Sequence, residues 1–274
     1  MYKDFFDLKE CPFNITSDPH FLYLTNKHKE ALSLLQYGVQ QRKGFIEVTG
    51  DIGTGKTTLC RALINSLDSK TKTSYIFNPK LPVIQFIRAI IEDFGIEIRK
   101  KSKMDMIKAL NRFLLEQLSC GNNAVLIIDE AQNLDNRVIE EVRLLSNLET
   151  EQEKLLQIIL IGQPELKEKL RSPDLAQLKQ RITIRYHLTP LNKDEIRYYI
   201  DHRLKIAGNK GQVTFTENSI EEIFSFSKGI PRLTNVVCDR ALLMGYTKET
   251  RTIDADIIRK SASEINGDLD YEHN

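Results

Sequence analysis

The stretch GFIEVTGDIGTGKTTLCRALINSL, residues 44–67, decides the fold of this chain. It begins with a short apolar run, residues 44–50, which predicts a buried strand. It ends with residues 57–67, whose spaced apolar side chains predict an amphipathic helix. The loop between them matches the pattern G-x-x-x-x-G-K-S/T at Gly50, Gly55, Lys56 and Thr57. A strand, a glycine-rich loop and a helix in this order predict a phosphate-binding loop.

The residue types in this loop suit a phosphate ligand. Glycines let the backbone approach an anion closely and point its N–H groups inward, and the following helix offers its positive N-terminal end. Lys56 can reach the β- and γ-phosphates, and the Thr57 hydroxyl can ligate magnesium. The predicted nucleotide-binding residues are Gly50, Asp51, Ile52, Gly53, Thr54, Gly55, Lys56, Thr57 and Thr58.

Short apolar runs alternate with helical patterns along the first part of the chain. Residues 44–50, 124–130 and 155–162 are apolar with little alternation, which indicates strands buried on both faces. Residues 73–79 and 181–188 add two further strands. With helices between the strands, the pattern predicts an α/β fold with a parallel sheet and helices on both faces.

The pattern changes to helices after about Pro190. Four helical segments follow, and cap-type residues mark the starts of three of them, at Asn192, Thr216 and Asp254. We therefore predict a small all-helical lid domain behind the core. The predicted ranges are an N-terminal linker and helix, a P-loop core, a helical lid and a flexible tail, at residues 1–43, 44–190, 191–266 and 267–274.

The composition excludes several classes of protein. Lysine plus arginine total 39 and aspartate plus glutamate 38, so net charge does not favour DNA, RNA or an anionic membrane. No signal peptide is predicted, and no apolar run approaches the about 18 residues of a membrane span. The cysteines at 11, 60, 120 and 238 lack the paired spacing of a zinc or disulfide framework. A cytoplasmic location is therefore expected.

A second motif lies in AVLIIDEAQNL, residues 124–134. An acid at the carboxyl end of a buried strand faces the ligand crevice of an open α/β sheet. Asp129 can therefore hold magnesium, and Glu130 can orient and polarise an attacking water. The Asp-Glu-Ala-Gln tetrapeptide also names families of helicases, which need a second α/β motor domain. Because the segment after Pro190 is predicted to be helical, we do not favour a helicase, and Gln132 receives no role.

Three further residues are candidates for the site. Gln163 follows the next strand, where it can touch the γ-phosphate or the water. Arg181 lies between a helix and the last core strand, where an arginine can project into the nucleotide of a neighbouring subunit; Arg171 and Arg185 compete for this role. Arg232, in the first turn of a predicted helix, opposes the helix dipole, which hints at an anionic partner.

These features together resemble an AAA+ ATPase, and more closely the general secretion pathway protein A (ExeA-type) family. The resemblance runs from residue 2 to about 265. The shared stretches are FNITSDPHFLYLTNKHKEAL, GFIEVTGDIGTGKTTLCRALI, LIIDEAQNLDNRVIEEVRLLSNLETEQEKLLQIILIGQPEL, LKQRITIRYHLTPL and GIPRLTNVVCDRALL.

The resemblance implies a role for each candidate. Lys56, Thr57 and Asp129 would hold ATP or ADP with Mg²⁺. Glu130 would be the catalytic acidic residue. The remaining roles would be sensor 1 for Gln163, a finger in trans for Arg181 and sensor 2 for Arg232. ExeA-type proteins typically continue into a membrane helix and a periplasmic part, and this chain stops where those would begin.

We therefore expect a homo-oligomeric ring or filament that hydrolyses ATP to ADP and phosphate at subunit interfaces. It would act as a switch or assembly motor for a protein complex of secretion or the envelope. The alternative is a DNA-associated AAA+ regulator of transposition, favoured by RKKSK at 99–103, which has four basic residues in five. A scaffold that binds nucleotide but barely hydrolyses it is a third interpretation, and the intact Glu130 argues against it.

Overall fold

The computed structural model describes residues 1–14, 19–98 and 102–271. Three of the basic residues at 99–103, Arg99, Lys100 and Lys101, lie outside these ranges. The strands are β1 (Phe45–Gly50), β2 (Thr71–Ile76), β3 (Asn123–Ile128), β4 (Gln157–Gly162), β5 (Ile182–Leu188), β6 (Thr214–Phe215) and β7 (Thr252–Ile253). The α-helices are α1 (Tyr2–Phe5), α2 (Asn26–Gln40), α3 (Lys56–Ser66), α4 (Val83–Asp93), α5 (Lys103–Ser119), α6 (Asn136–Leu145), α7 (Pro164–Lys169), α8 (Ala176–Arg181), α9 (Lys193–Ile206), α10 (Glu217–Ser227), α11 (Pro231–Thr247) and α12 (Ala255–Tyr271).

The chain divides into two compact units. The first contains Met1–Asn26, Ile52–Thr58 and Thr189–Asn274, and the second contains Lys27–Asp51 and Leu59–Leu188. The domain ranges given in the sequence analysis remain predictions. None of the helices in the described parts of the chain is both long and apolar enough to cross a membrane.

The second unit contains a parallel sheet of the predicted kind. Its strand order is β2-β3-β4-β1-β5, and every neighbouring pair is parallel. The three inner strands are the continuous apolar runs, and they are buried along almost their whole length. The edge strands β2 and β5 alternate between buried and more exposed residues. The predicted α/β fold is therefore confirmed, because continuous hydrophobicity marks strands covered on both faces.

Helices cover both faces of this sheet. Alternate residues of β3 point to opposite faces: Leu126 belongs to one apolar cluster and Ile127 to the other. Helices α4, α5 and α6 supply the first cluster, and α2 and α3 supply the second. Full burial of each such aliphatic side chain stabilises the fold by about 1.5–3 kcal/mol. This packing fixes the carboxyl ends of the strands, where the candidate residues lie.

The first unit is built from α1 and α9–α12 around its own apolar core. The predicted caps are confirmed: the Asn192, Thr216 and Asp254 side chains accept hydrogen bonds from the backbone N–H groups three residues later. Such caps stabilise a helix by about 1 kcal/mol each. The unit also contains the short parallel pair β6–β7, which periodicity did not predict because each strand has only two residues.

The entrance to α11 depends on one glycine. Gly229 has a φ of +81°, and a Cβ added there would lie 2.0 Å from the Leu191 carbonyl oxygen. The Leu191 N–H also donates to the Gly229 carbonyl at 2.8 Å. Because no larger residue fits this approach, the glycine fixes where α11 begins and therefore where Arg232 lies.

Candidate active site

The phosphate-binding loop has the backbone that its sequence predicts. Gly53 and Gly55 have φ angles of +80° and +97°, which favour glycine. The loop then enters α3 at Lys56, whose side chain is only 6% exposed. Thr54 is buried as well, whereas the Ile52 side chain is 60% exposed. The loop therefore brings the Lys56 ammonium to the N-terminal turn of a helix, the position that suits a phosphate.

Arg232 contacts this loop within the first unit. Its backbone N–H donates to the Gly53 carbonyl at 3.3 Å. A Cβ added at Gly53 would lie 2.7 Å from the Arg232 Cβ and 3.0 Å from Ile230 Cγ2. The Arg232 side chain is exposed, and among the described residues no carboxylate lies within ion-pair distance of its guanidinium. A cation next to a phosphate-binding loop thus keeps its charge available for an anion.

Asp129 lies immediately after β3 and is fully buried. Its Oδ1 accepts the Glu130 N–H at 2.9 Å, and its Oδ2 accepts the Tyr75 hydroxyl at 2.9 Å. Burial and the nearby Asp129 carboxylate raise the pKa of Tyr75 well above its ordinary value, so the phenol stays protonated and remains a donor. Tyr75 therefore fixes the orientation of the Asp129 carboxylate. Sequence reasoning missed Tyr75, because its register beside β3 becomes visible only in the sheet.

Glu130 leaves the strand through a left-handed turn. The sequence pattern extended the strand to residue 130, but β3 ends at Ile128 and Glu130 has φ +53° and ψ +37°. Left-handed backbone in a residue other than glycine is strained and concentrates at functional sites. The turn starts the short 3₁₀ helix Ala131–Asn133 and leaves the Glu130 side chain half-buried.

Two glutamines bind the Glu130 carboxylate. Gln132 Nε2 donates to Glu130 Oε2 at 2.5 Å, and Gln163 Nε2 donates to the same oxygen at 3.2 Å. The Gln163 N–H also donates to Gln132 Oε1 at 3.1 Å. The structure therefore brings Glu130 and Gln163 together, and it adds Gln132, to which the sequence assigned no role. In the sequence, the only sign of this contact is that Gln132 lies two residues after Glu130. That spacing does not predict a contact unless the left-handed turn is known.

The three candidate arginines differ in their surroundings. Arg181 ends α8 and donates to Ser146 Oγ at 2.7 Å and to Asn147 Oδ1 at 2.5 Å, both neutral acceptors. Arg185 lies 3.3 Å from the Glu47 carboxylate, which is nearly buried. The Arg171 side chain is exposed and has no ion-pair partner among the described residues. Of the three, Arg185 is therefore the one that forms an ion pair among the described residues.

The described residues suit a magnesium ion that arrives with its substrate. They contain no cluster of three or more His, Cys, Asp or Glu side chains that could hold a metal ion. Mg²⁺ in phosphate-handling proteins uses only one or two carboxylates together with substrate oxygens and water. The buried Asp129 carboxylate is a hard oxygen ligand of this kind.

The chain is similar to AAA-domain proteins. A family model for the AAA domain matches residues 39–170. General secretion pathway protein A of Aeromonas hydrophila is 43% identical over 268 residues, which cover 97% of this chain and 49% of that protein. The chain thus spans about half the length of this relative.

More distant proteins share the fold. The Holliday junction branch migration complex subunit RuvB of Mesomycoplasma hyopneumoniae is 26% identical over 242 residues, covering 86% of this chain and 68% of that protein. The structure of the ORC2 protein of Aeropyrum pernix in its ADP form aligns with a TM-score of 0.65 at 17% identity, covering 96% of this chain and 72% of that one. The chain is therefore similar to general secretion pathway protein A along nearly its whole length, and residues 39–170 match the AAA domain.

Proposed function

We propose that this chain is an ATPase that hydrolyses ATP to ADP and phosphate and drives a switch or assembly step in a partner complex. Its 43% identity to general secretion pathway protein A supports a partner in secretion or envelope assembly, reached from the cytoplasmic side. We further propose that the working form is a homo-oligomeric ring or filament. ATP hydrolysis would change the state of this assembly.

In this proposal, the loop from Gly50 to Thr58 binds the phosphates through its N–H groups and the Lys56 ammonium. Thr57 and Asp129 would ligate Mg²⁺, which when bound neutralises charge that develops on the phosphates. Glu130 would accept a proton from the attacking water and orient it. Gln163 would contact the γ-phosphate as sensor 1, and Arg232 would be sensor 2.

The observation that carries a hydrolytic function is the arrangement of the two acids. Asp129 is fully buried and held through both oxygens, whereas Glu130 is half-buried and held through one oxygen. A group that holds a metal benefits from rigidity, and a group that activates water needs an accessible oxygen. A scaffold that only binds nucleotide has no need of a glutamate with an accessible oxygen.

Phosphate release from MgATP tests the proposed function directly. We expect turnover per mole of chain to rise with protein concentration, because a finger supplied by a neighbour makes each site depend on assembly. The measurement is steady-state phosphate release over a wide range of protein concentrations, with sedimentation to follow assembly. Turnover per mole that stays constant while the chain assembles would contradict catalysis in trans, and absence of turnover would contradict the ATPase.

The surroundings of the arginines support Arg181 as the finger and Arg171 as its competitor. Neutral acceptors hold Arg181 in place without an ion pair among the described residues, whereas Glu47 forms an ion pair with Arg185. We expect Arg181→Ala to lower turnover by about 10³-fold or more, the effect of losing an arginine finger. Its nucleotide affinity should stay within about twofold, because a finger acts on a neighbour's transition state.

Mixing two inactive variants tests whether Arg181 acts in trans. Lys56→Met subunits keep Arg181, and Arg181→Ala subunits keep an intact phosphate-binding loop. An equimolar mixture should regain turnover that neither variant has alone. Arg185→Ala serves as the matched control. Arg171→Ala tests the competing candidate for the finger. Wild-type turnover in Arg181→Ala together with a large loss in Arg171→Ala would transfer the role to Arg171.

The similarity to RuvB favours a DNA-associated function as the alternative, since that relative is part of a Holliday junction complex. The near-zero formal charge, +1 at pH 7, gives this alternative little electrostatic support. Duplex DNA binding in the presence of MgATP across a salt series separates the two functions. Binding that weakens steeply with salt supports the DNA function, and no binding even at low salt removes it.

A further inference from the structure

The two amides on Glu130 converge on a single oxygen. Gln132 and Gln163 both donate to Oε2, while Oε1 has no hydrogen-bond partner among the described residues. A glutamate side chain has several rotatable bonds, and without these donors it would sample many orientations. The arrangement therefore fixes the carboxylate plane and leaves one oxygen as an acceptor.

The turn that carries Gln132 is anchored independently of Glu130. The Lys169 ammonium donates to the carbonyl of Gln132 at 3.2 Å and also to the carbonyl of Leu134. Ala131 and Leu134, on either side of Gln132, are buried in the core. These contacts tie the turn after β3 to α7, which begins after Gln163. The position of the Gln132 backbone is thus set by its neighbours.

The residue that follows the neighbouring strand β4 also orients the Gln132 side chain. Its Oε1 accepts the Gln163 N–H, so the amide must point its Nε2 donors the other way, toward Glu130. Gly162 makes room for this contact, because a Cβ there would lie 2.8 Å from Gln132 Oε1. A larger residue at position 162 would push the amide away. The orientation of Gln132 therefore follows from the strand end that precedes α7.

The two glutamines have different roles in the proposed function. In the proposed function the Gln163 side chain reads the γ-phosphate, and its bond to Glu130 is the longer one, 3.2 Å against 2.5 Å. If Gln163 turns to a phosphate, only Gln132 still holds the carboxylate. A hydrogen bond to an ionised acceptor is about twice as strong as a neutral one, so one such bond suffices to keep Glu130 in place.

We propose that Gln132 is a positioning residue that aims the Glu130 carboxylate at the attacking water during ATP hydrolysis. This inference rests on the proposed function and deepens it. Gln132 touches neither substrate nor metal in this role, and it acts only by holding Oε2 so that Oε1 accepts the proton. A misplacement of about 1 Å in a reacting group can cost about 100-fold in rate.

Gln132→Met tests this role, because methionine has a similar length and no amide. We expect the kcat for ATP hydrolysis to fall by about 10- to 100-fold, within the range of a misplaced group. The KM and the equilibrium affinity for nucleotide should stay within about twofold, because transition-state positioning is lost and not binding. Asn133→Ala, in the same turn and exposed, is the matched control. Thermal unfolding of both variants shows whether the fold survives.

A double-mutant cycle separates positioning from a general structural effect. In the Glu130→Gln background, Gln132→Met should cause no further loss of single-turnover phosphate release, because its partner is already disabled. A full additional loss would overturn the positioning role, as would wild-type turnover in Gln132→Met alone. If the unaltered chain releases no phosphate, the proposed function fails and this inference fails with it. An active chain that Glu130→Gln disables but Gln132→Met does not would overturn this inference alone.

Discussion

Replacing Lys56 with methionine is expected to reduce ATP turnover by about 10²- to 10³-fold or more, the range for removing one electrostatic contact to a transition state. Nucleotide affinity should fall as well, because the ammonium contacts the phosphates in the bound state. Methionine preserves the apolar stem of a side chain that is only 6% exposed, so packing in α3 is retained. Phosphate release and fluorescent-nucleotide binding measure the two effects.

Lys80→Met is the control for this substitution, because Lys80 is an exposed lysine outside the phosphate-binding loop. It removes the same charge from the chain and should leave turnover unchanged. Thermal unfolding should show both variants folded. Wild-type turnover in Lys56→Met would mean that the loop does not bind the reacting phosphates, and the whole assignment of the site would fail.

Replacing Glu130 with glutamine is the second large effect. We expect turnover to fall by about 10²- to 10⁴-fold, the contribution of a general base, while ATP binding is retained or tightened. Glutamine has the same shape, and its carbonyl oxygen can still accept the Gln132 amide. The left-handed turn at position 130 is also preserved, because the backbone strain does not depend on the charge. The variant should therefore trap ATP in an assembled state.

A filter-binding assay with labelled ATP measures binding, and single-turnover phosphate release measures hydrolysis. Together they show whether the two are separated. Glu165→Gln, an exposed acid in the first turn of α7, is the matched control. Loss of binding in Glu130→Gln equal to its loss of turnover would place Glu130 in the binding site and remove its role as base.

The helical and strand elements of both units were largely predictable, because their causes are local. A continuous apolar run predicts an inner strand, and β1, β3 and β4 lie in the middle of the sheet as expected. The caps at Asn192 and Thr216 depend on residues only three positions apart. Such signals survive in the sequence because the interacting groups are neighbours along the chain.

Boundaries were predicted less well where a distant residue intervenes. The spacing of apolar residues predicts a helix over residues 137–149, yet α6 ends at Leu145. The Ser146 hydroxyl donates back to the Arg143 carbonyl and also accepts a hydrogen bond from Arg181, at the end of α8. A partner that lies 35 positions away along the chain leaves no periodic signal.

The sequence by itself determined the class of fold, the phosphate-binding loop and the two acids after β3, because each depends on residue type and short spacing. The tertiary structure alone decided which groups hold those acids. Tyr75 reaches Asp129 because β2 pairs with β3, and Gln132 reaches Glu130 because a left-handed turn reverses the chain. Hydrogen bonds require positions accurate to a few tenths of an ångström, and only the packed sheet and its turns supply that accuracy.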